Sequence, residues 1–216
     1  IIVSADNFSS SGPAERSIEA MTALRNDAVG RYPLDLDRIY ATGFSGGGRL
    51  CWLLAEGAPE IHLAGIIEVG AGFPWPELPV DFDASHFAFC GLTGETDFNY
   101  HEVKRVGGVL RGRGVPSRIV TFEGGHEWPP ATECCDALEW LQIAGMRVGA
   151  VPADSSLIVG VYDREMAAGA REESEGRLIE ARDRFRSITE TFAGLRDLSV
   201  PMSSLQRLEA SAELAA

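Results

Sequence analysis

A serine flanked by glycines is the part of the sequence best suited to chemistry, in Gly43-Phe44-Ser45-Gly46-Gly47. A β-type run, 38–42, precedes it, and a helix-type run, 49–55, follows it. A Gly-x-Ser-x-Gly segment between a strand and a helix is typical of a nucleophile elbow, in which the residues two before and two after the serine must be small. Such a turn strains the serine backbone and exposes its Oγ. We therefore expect Ser45 to be a nucleophile; an accidental glycine-rich turn is the alternative.

A serine hydroxyl needs a general base within hydrogen-bond reach, and the chain offers four histidines. His126 lies in Gly124-Gly125-His126-Glu127-Trp128-Pro129-Pro130, after the last strand-type run and before a helix-type run. His62 and His86 stand at the starts of strand-type runs, which is the opposite edge of a sheet, and His101 opens a helix-type run. We expect His126 to be the base, with a structural loop histidine as the alternative.

A histidine base is oriented by a carboxylate, and Asp97 is placed to supply it. It lies in Gly94-Glu95-Thr96-Asp97-Phe98-Asn99-Tyr100, between a strand-type run and a helix-type run. Aspartate at such a position also favours the N-cap of the following helix. Glu95 is the competing acid. Asp97 as the third member of a catalytic triad is our main interpretation, and both alternatives stay open.

The glycine after the serine is expected to stabilise negative charge on a bound substrate. The backbone N–H of Gly46 lies at a helix N-terminus, where it can donate to an oxyanion. Phe44 and Trp128 flank the proposed catalytic residues. Each could bind substrate by lining an acyl or alcohol pocket, or could simply pack the loops, and the sequence favours neither interpretation.

The elements that must position these residues alternate between strands and helices. Such alternation predicts an α/β fold with a mostly parallel sheet flanked by helices. Functional residues of such sheets lie beyond the carboxyl ends of the strands. The expected strands are 1–5, 38–43, 63–69, 86–92 and 117–122, and the expected helices are 14–32, 47–57, 99–113 and 130–142.

The pattern changes near residue 149. We predict a catalytic domain over 1–148, a linker over 149–156 and a small α-helical extension over 157–216. The extension holds two charged amphipathic runs, 157–174 and 176–192, and a short helix-like stretch over 205–214. Glu180-Ala181 followed by Phe185 and Ile188 resembles the second helix of a tetratricopeptide-type hairpin. A helical hairpin packed on the first domain is the simpler interpretation, and an arm that docks a protein partner is the alternative.

Charge and composition exclude several classes of partner. The net charge of −13 disfavours nucleic acid and anionic membranes. No apolar run reaches about 18 residues, so we predict no membrane span. The four cysteines, Cys51, Cys90, Cys134 and Cys135, lack metal-ligand spacing with histidine. We predict no metal and no cofactor.

Three segments together resemble a known group of enzymes: Gly-Phe-Ser-Gly-Gly-Gly-Arg, Thr-Gly-Glu-Thr-Asp-Phe-Asn-Tyr and Gly-Gly-His-Glu-Trp-Pro-Pro. They resemble the esterase branch of the α/β hydrolases that includes polyhydroxybutyrate depolymerase-like and feruloyl esterase-like proteins. The likeness covers roughly residues 1–142, and His-x-Trp-Pro is its most specific element. It implies cofactor-free hydrolysis of a small-molecule carboxylic ester. It assigns the triad to Ser45, Asp97 and His126, in the chain order usual for these enzymes.

The chain opens with Ile1-Ile2-Val3-Ser4-Ala5, a strand pattern without an initiator methionine. We expect an N-terminally truncated domain, whose first strands and second oxyanion donor precede residue 1. The compartment is left undecided, with secreted and periplasmic locations both open. Two other functions are consistent with the sequence: a peptidase or lactone hydrolase on the same triad, and an inert hydrolase body whose helical tail binds a partner.

Overall fold

A computed structural model describes residues 1–4, 12–82 and 87–211 of the chain. The chain divides into two compact units, Ile1–Leu141 and Gln142–Ala216. The boundary falls inside the helix Ala131–Arg147, and not in the predicted linker 149–156. This helix ends five residues later than predicted, at Arg147, because apolar residues at helical spacing continue through Ile143 and Met146.

The first unit is built on a four-stranded sheet in which every neighbouring pair is parallel. The strands are β1 (Ile39–Phe44), β2 (Leu63–Val69), β3 (Ala88–Gly94) and β4 (Ser117–Phe122), in the spatial order β1-β2-β3-β4. Helices connect or flank them: α1 (Ala14–Arg31), α2 (Gly46–Gly57), α3 (Tyr100–Gly112) and α4 (Ala131–Arg147). Single 3₁₀ turns, Leu36–Arg38 and Pro59–Ile61, precede β1 and β2. The predicted α/β architecture is confirmed.

Apolar packing on the central strands holds this unit together. All seven residues of β3 are buried, as expected for a parallel strand covered on both faces. Trp52 of α2 is fully buried, and its ring lies 4.9 Å from that of Phe73 and 5.3 Å from that of Phe89. Helix α3 buries one apolar face, with Val103, Val106, Gly107 and Leu110.

The predicted strand over 1–5 is wrong where the structure describes it. Ile1–Ser4 form no strand, and the side chains of Ile1 and Ile2 are 79% and 92% exposed. A strand is stabilised by a hydrogen-bonded neighbour, and an apolar pattern alone does not supply one. The strand predicted at 86–92 spans Ala88–Gly94 instead. Ala5 and His86 lie outside the described residues.

The second unit is helical. After the end of α4 come α5 (Ser155–Ser174), α6 (Leu178–Thr191) and α7 (Ser199–Glu209). Their apolar faces form a core of their own that includes Ile158, Ala181, Phe185, Ile188, Phe192 and Leu208. Arg184 of α6 bridges two buried glutamates of α5, reaching Glu165 at 2.7 Å and Glu172 at 2.7 and 2.8 Å.

Two expectations for this part of the chain need correction. The predicted linker 149–156 is part of the second unit, because Val151 is buried in its core and Asp154 accepts hydrogen bonds from the first backbone N–H groups of α5. The last helix begins at Ser199, six residues before the predicted stretch 205–214. Pro201 lies in its first turn, where a missing N–H leaves no hydrogen bond unmade. Residues 212–216 lie outside the described residues.

Candidate active site

Four loops meet at the carboxyl edge of the parallel sheet. Ser45 follows β1, Gly70 follows β2, Asp97 lies three residues after β3, and His126 lies four residues after β4. Parallel strands end at the same edge, so the loops that follow them are neighbours in space. Each strand of the sheet thus contributes one residue to this site.

Ser45 has the strained backbone expected of a nucleophile elbow. Its φ of 52° and ψ of −119° are rare for a residue with a side chain. The backbone N–H of Ser45 donates to the carbonyl of Val69 at 2.8 Å, which continues the sheet ladder. Its carbonyl accepts from the N–H of Gly48 at 2.9 Å, which starts α2. The sheet hydrogen bond and the first helix hydrogen bond therefore hold Ser45 in its strained backbone conformation.

The glycine requirement of this turn differs from the expectation. A Cβ on Gly43 would overlap the backbone of Gly47 and lie 2.7 Å from the nitrogen of Gly48. A Cβ on Gly47 would meet nothing within 4 Å. A Cβ on Gly48 would lie 3.0 Å from the Glu68 side chain. Gly43, two residues before the serine, must therefore lack a side chain, as predicted. After the serine, the position with little space is Gly48 and not Gly47, because α2 crosses β2 at Gly48.

Ser45, His126 and Asp97 form a continuous chain of hydrogen bonds. Nε2 of His126 lies 2.9 Å from Oγ of Ser45, and Nδ1 lies 3.0 and 3.1 Å from the two Asp97 oxygens. An ionised carboxylate only accepts hydrogen bonds, so it favours the tautomer in which Nδ1 carries the proton. In that tautomer the Nε2 lone pair is free to accept from the serine hydroxyl.

Asp97 is the acid in contact with His126. Its side chain is 1% exposed, and Oδ1 also accepts from the backbone N–H of Asn99 at 2.7 Å. Asn99, and not Asp97, occupies the N-cap position of α3. Glu95 is exposed on the surface. Of the alternatives left open by the sequence, the geometry matches neither the N-cap nor Glu95.

The loop that carries His126 is fastened to the loop that carries Asp97. The N–H and Oγ1 of Thr96 both donate to the carbonyl of Gly124, at 3.0 and 2.9 Å. A Cβ on Gly94 would overlap the carbonyls of Gly124 and Gly125. The close approach of these two loops therefore requires the glycine at the end of β3.

Aromatic side chains surround the imidazole of His126. The ring of Phe44 lies 4.6 Å from it and 5.7 Å from the ring of Trp128. The ring of Phe98 lies 4.2 Å from the imidazole. Trp128 and Phe98 are 54% and 77% exposed. Phe44 and Trp128 are thus beside the site as predicted, and Phe98 was not singled out by the sequence.

Comparison with solved structures gives several esterases. A carboxylesterase from Bacillus cereus superposes with a TM-score of 0.51 at 18% identity, covering 65% of this chain and 66% of its own. A carboxylesterase from Mesorhizobium loti gives a TM-score of 0.48 at 23% identity, covering 60% and 61%. A ferulic acid esterase gives 0.47 at 17% identity, covering 62% and 60%. This chain therefore spans no more than about two thirds of each.

The likeness to the Bacillus cereus enzyme, together with the parallel sheet and the elbow after β1, decides the fold. The chain has the α/β-hydrolase fold. No protein-family model and no curated protein matches the sequence.

The geometry of this site requires a further glycine, which sequence reasoning missed. Gly70 has a φ of +56°, and a Cβ there would lie 2.7 Å from Oδ2 of Asp97 and 3.1 Å from Nδ1 of His126. Nδ2 of Asn99 donates to the Gly70 carbonyl at 2.8 Å. The sequence signal was weak: a glycine directly after the strand that neighbours the elbow strand.

An ion pair fixes the loop after β2. Arg49 donates through both terminal nitrogens to Glu102, at 3.0 and 2.7 Å, and also to the carbonyl of Phe73 at 2.8 Å. A side chain on Gly72 would overlap Glu102. This bidentate contact ties α2, α3 and the loop together, and it raises the pKa of Arg49 through the hydrogen bonds to Glu102.

A fully buried acid lies beneath the elbow helix. Glu68 of β2 is 0% exposed, and its Oε1 accepts from Nε1 of Trp52 at 3.1 Å. Its other oxygen has no partner among the described residues. Burial raises the pKa of Glu68 to about 8, against smaller lowering effects from Trp52 and Arg49. The acid is therefore mostly neutral at pH 7.

A cysteine nucleophile, a metal site and a membrane-spanning helix are less well supported. Burial raises the pKa of the Cys51 thiol to about 12, so it is not a ready nucleophile. In the described ranges, no group of three or more His, Cys, Asp or Glu residues is arranged to hold a metal ion. Across the same ranges, no helix has the length and apolarity to cross a bilayer.

The first unit also contains a cavity of about 320 Å³ beside α1, α2 and β1. It is lined by Thr42, Gly47, Leu50 and Cys51 among others. Ser45, Asp97 and His126 do not line it. The cavity is therefore separate from the hydrogen-bonded triad.

Proposed function

We propose that this chain is a serine hydrolase that cleaves carboxylic esters through an acyl-enzyme on Ser45. The observation that carries the proposal is the 2.9 Å approach of His126 Nε2 to Ser45 Oγ, with Asp97 at Nδ1. The Bacillus cereus structure of similar fold is a carboxylesterase by name, which is consistent with the proposal.

In the first half-reaction, Ser45 Oγ attacks the carbonyl carbon of the ester. The serine proton passes to Nε2 of His126, and the Asp97 carboxylate favours the imidazolium that results. The carbonyl oxygen becomes an oxyanion. When the tetrahedral intermediate collapses, the ester C–O bond breaks and His126 gives its proton to the departing alcohol. The acyl group remains on Ser45.

The oxyanion is expected to accept from the N–H of Gly46. This is the first residue of α2, and the first N–H groups of a helix have no partner inside the helix. The positive end of the helix dipole favours the developing charge. Mutational removal of one such donor in other serine hydrolases lowers kcat by about 10²–10³.

In the second half-reaction, water replaces the alcohol. His126 Nε2 takes a proton from the water, which attacks the acyl carbon, and then returns the proton to Ser45 Oγ. The products are a carboxylic acid and a restored serine. All the acid–base steps use one imidazole, so no metal or cofactor enters the proposal. The substrate is a small-molecule ester, bound beside Phe44 and Trp128.

A fluorophosphonate probe tests the nucleophile directly. The wild-type chain should be labelled, and Ser45→Ala should abolish labelling. Ser4→Ala is a matched control, because Ser4 has no place in the proposed chemistry. Failure to label the wild type, or labelling that survives Ser45→Ala, would contradict the proposal.

The same triad could serve a peptidase or a lactone hydrolase, since the fold hosts many chemistries. A panel of p-nitrophenyl esters, lactones and peptide substrates separates these outcomes. Docking of a protein partner by residues 157–216 also stays a prediction. A binding test of this prediction uses the full chain, because the apolar core of the second unit also includes Ile143, Met146 and Val151.

A further inference from the structure

Two phenyl rings contact the imidazole of His126, and each comes from a residue next to another member of the triad. Phe44 precedes Ser45, and its ring lies 4.6 Å from the imidazole. Phe98 follows Asp97, and its ring lies 4.2 Å away, tilted by 40°. The Phe44 distance is within the range of about 4.5–7 Å typical of favourable contacts between aromatic rings, and the Phe98 ring lies slightly closer than that range.

The hydrogen bonds of His126 do not fix its ring completely. They hold Nδ1 and Nε2, at opposite edges of the imidazole. Rotation about the line joining these two nitrogens would tilt the ring and misalign the Nε2 lone pair while keeping both partners near. The hydrogen bonds from Thr96 to the Gly124 carbonyl fasten the loop two residues before His126, but they do not touch its ring. Contacts on the ring itself are needed to limit this tilt.

Phe98 is well placed to supply such a contact, because the backbone on both sides of it is fixed. Before it, the N–H of Asp97 donates to the carbonyl of Gly94 at 3.2 Å. After it, the N–H of Asn99 donates to the Asp97 carboxylate at 2.7 Å, and Nδ2 of Asn99 donates to the carbonyl of Gly70. The backbone position from which the Phe98 ring reaches the imidazole is therefore fixed.

Core packing does not account for Phe98. Its side chain is 77% exposed, so truncation would open little buried space. Its ring nevertheless lies closer to the imidazole than that of Phe44. A phenyl ring near the imidazole also favours the imidazolium form that arises during catalysis, through its attraction for a cation.

We propose that Phe98 is a positioning residue that orients the His126 imidazole toward Ser45. This inference rests on the proposed function, since it concerns the same triad. It differs from a role in binding substrate: a positioning residue affects every reaction of Ser45 equally, whereas a substrate contact affects only the substrates that touch it.

The test compares Phe98→Leu, which keeps an apolar side chain without a ring, with Phe98→Tyr, which keeps the ring. Val80→Ala is the matched control, because Val80 is an apolar residue of the same unit with 95% exposure. Two quantities are measured for each variant: the rate of labelling by a small fluorophosphonate, and kcat/KM for p-nitrophenyl acetate, butyrate and benzoate. Thermal unfolding verifies that each variant folds.

We expect Phe98→Leu to lower the labelling rate and all three kcat/KM values by a common factor of about three to ten, through kcat. Phe98→Tyr should stay within about twofold of wild type. No change in Phe98→Leu would overturn the inference. A loss confined to KM or to the benzoate ester, with an unchanged labelling rate, would overturn it too. A wild type that neither labels nor turns over would instead overturn the proposed function, and this inference with it.

Discussion

Replacing Glu68 with glutamine is expected to remove a pH dependence from the stability of the first unit. The Glu68 carboxyl is fully buried, and burial raises its pKa to about 8. In the unfolded chain the same group has a pKa of about 4.3. Between these two values the folded state keeps a proton that the unfolded state has lost. The free energy of unfolding of the wild type therefore falls as the pH rises through this window.

The size of the effect follows from the two values. Each pH unit inside the window changes the free energy of unfolding by about 1.4 kcal/mol. From pH 5 to pH 8, a single group with these values lowers it by about 3 to 4 kcal/mol. Glutamine cannot ionise, and its side-chain oxygen can still accept from Nε1 of Trp52. The free energy of unfolding of Glu68→Gln should equal that of the wild type within about 1 kcal/mol at pH 5 and should exceed it at pH 8.

Urea unfolding followed by tryptophan fluorescence at pH 5, 6, 7 and 8 measures this directly. All four tryptophans, Trp52, Trp75, Trp128 and Trp140, lie in the unit Ile1–Leu141, so the signal reports that unit. Glu77→Gln is the matched control, because Glu77 is exposed. If the free energy of unfolding changed equally with pH in the wild type and in Glu68→Gln, the reasoning would be refuted. A wild type that gains stability relative to the variant at higher pH would refute it as well.

Three further substitutions test the site and the second unit. Gly43→Ala should prevent correct folding of the elbow and abolish fluorophosphonate labelling, whereas Gly47→Ala, where a Cβ meets open space, should keep labelling within a fewfold of wild type; equal effects would contradict this account of the turn. Gly70→Ala should lower kcat by about 10² or more, because its Cβ would displace the His–Asp pair, and should also destabilise the first unit by about 1–2 kcal/mol, because its φ is positive; an unchanged kcat would count against that geometry. Arg184→Met should destabilise the second unit by about 3 kcal/mol at pH 7, measured by far-UV circular dichroism of the whole chain, since two buried glutamates each lose their ion pair with Arg184. A loss that is no smaller at pH 4 would argue against charge as the cause.

The sequence predicted which three side chains would meet, because Ser45, Asp97 and His126 each lie in a local pattern that fixes their place in the fold. Strand-type runs 38–43, 63–69 and 117–122 lie within one residue of β1, β2 and β4. Because those strands are parallel, every loop that follows a strand lies at the same edge of the sheet. A residue's place after a strand in the sequence therefore predicts that it lies at this edge. Ser45, Asp97 and His126 could be brought together on that reasoning alone, and the structure puts them within hydrogen-bond distance.

The same reasoning failed where a strand-type sequence lacks a neighbouring strand to pair with. Ile1–Ser4 have the composition of a strand but form none, because strand structure is a property of a pair. The extent of α4 and the boundary between the two units were also misjudged. The linker-type composition from Gly149 onward suggested an end to the domain, but Val151 within it is buried, as are Ile143 and Met146 before it.

By itself, the sequence predicted the order of elements, the edge of the sheet where the candidate site lies and three residues whose types suit acyl transfer, since these depend on local propensity and periodicity. Only the tertiary structure decided which glycines must lack a side chain, that Glu68 is buried with one unpaired oxygen among the described residues, and that Phe98 lies against His126. Those features arise from contacts between residues on different strands and loops, and no local pattern encodes the distance between them.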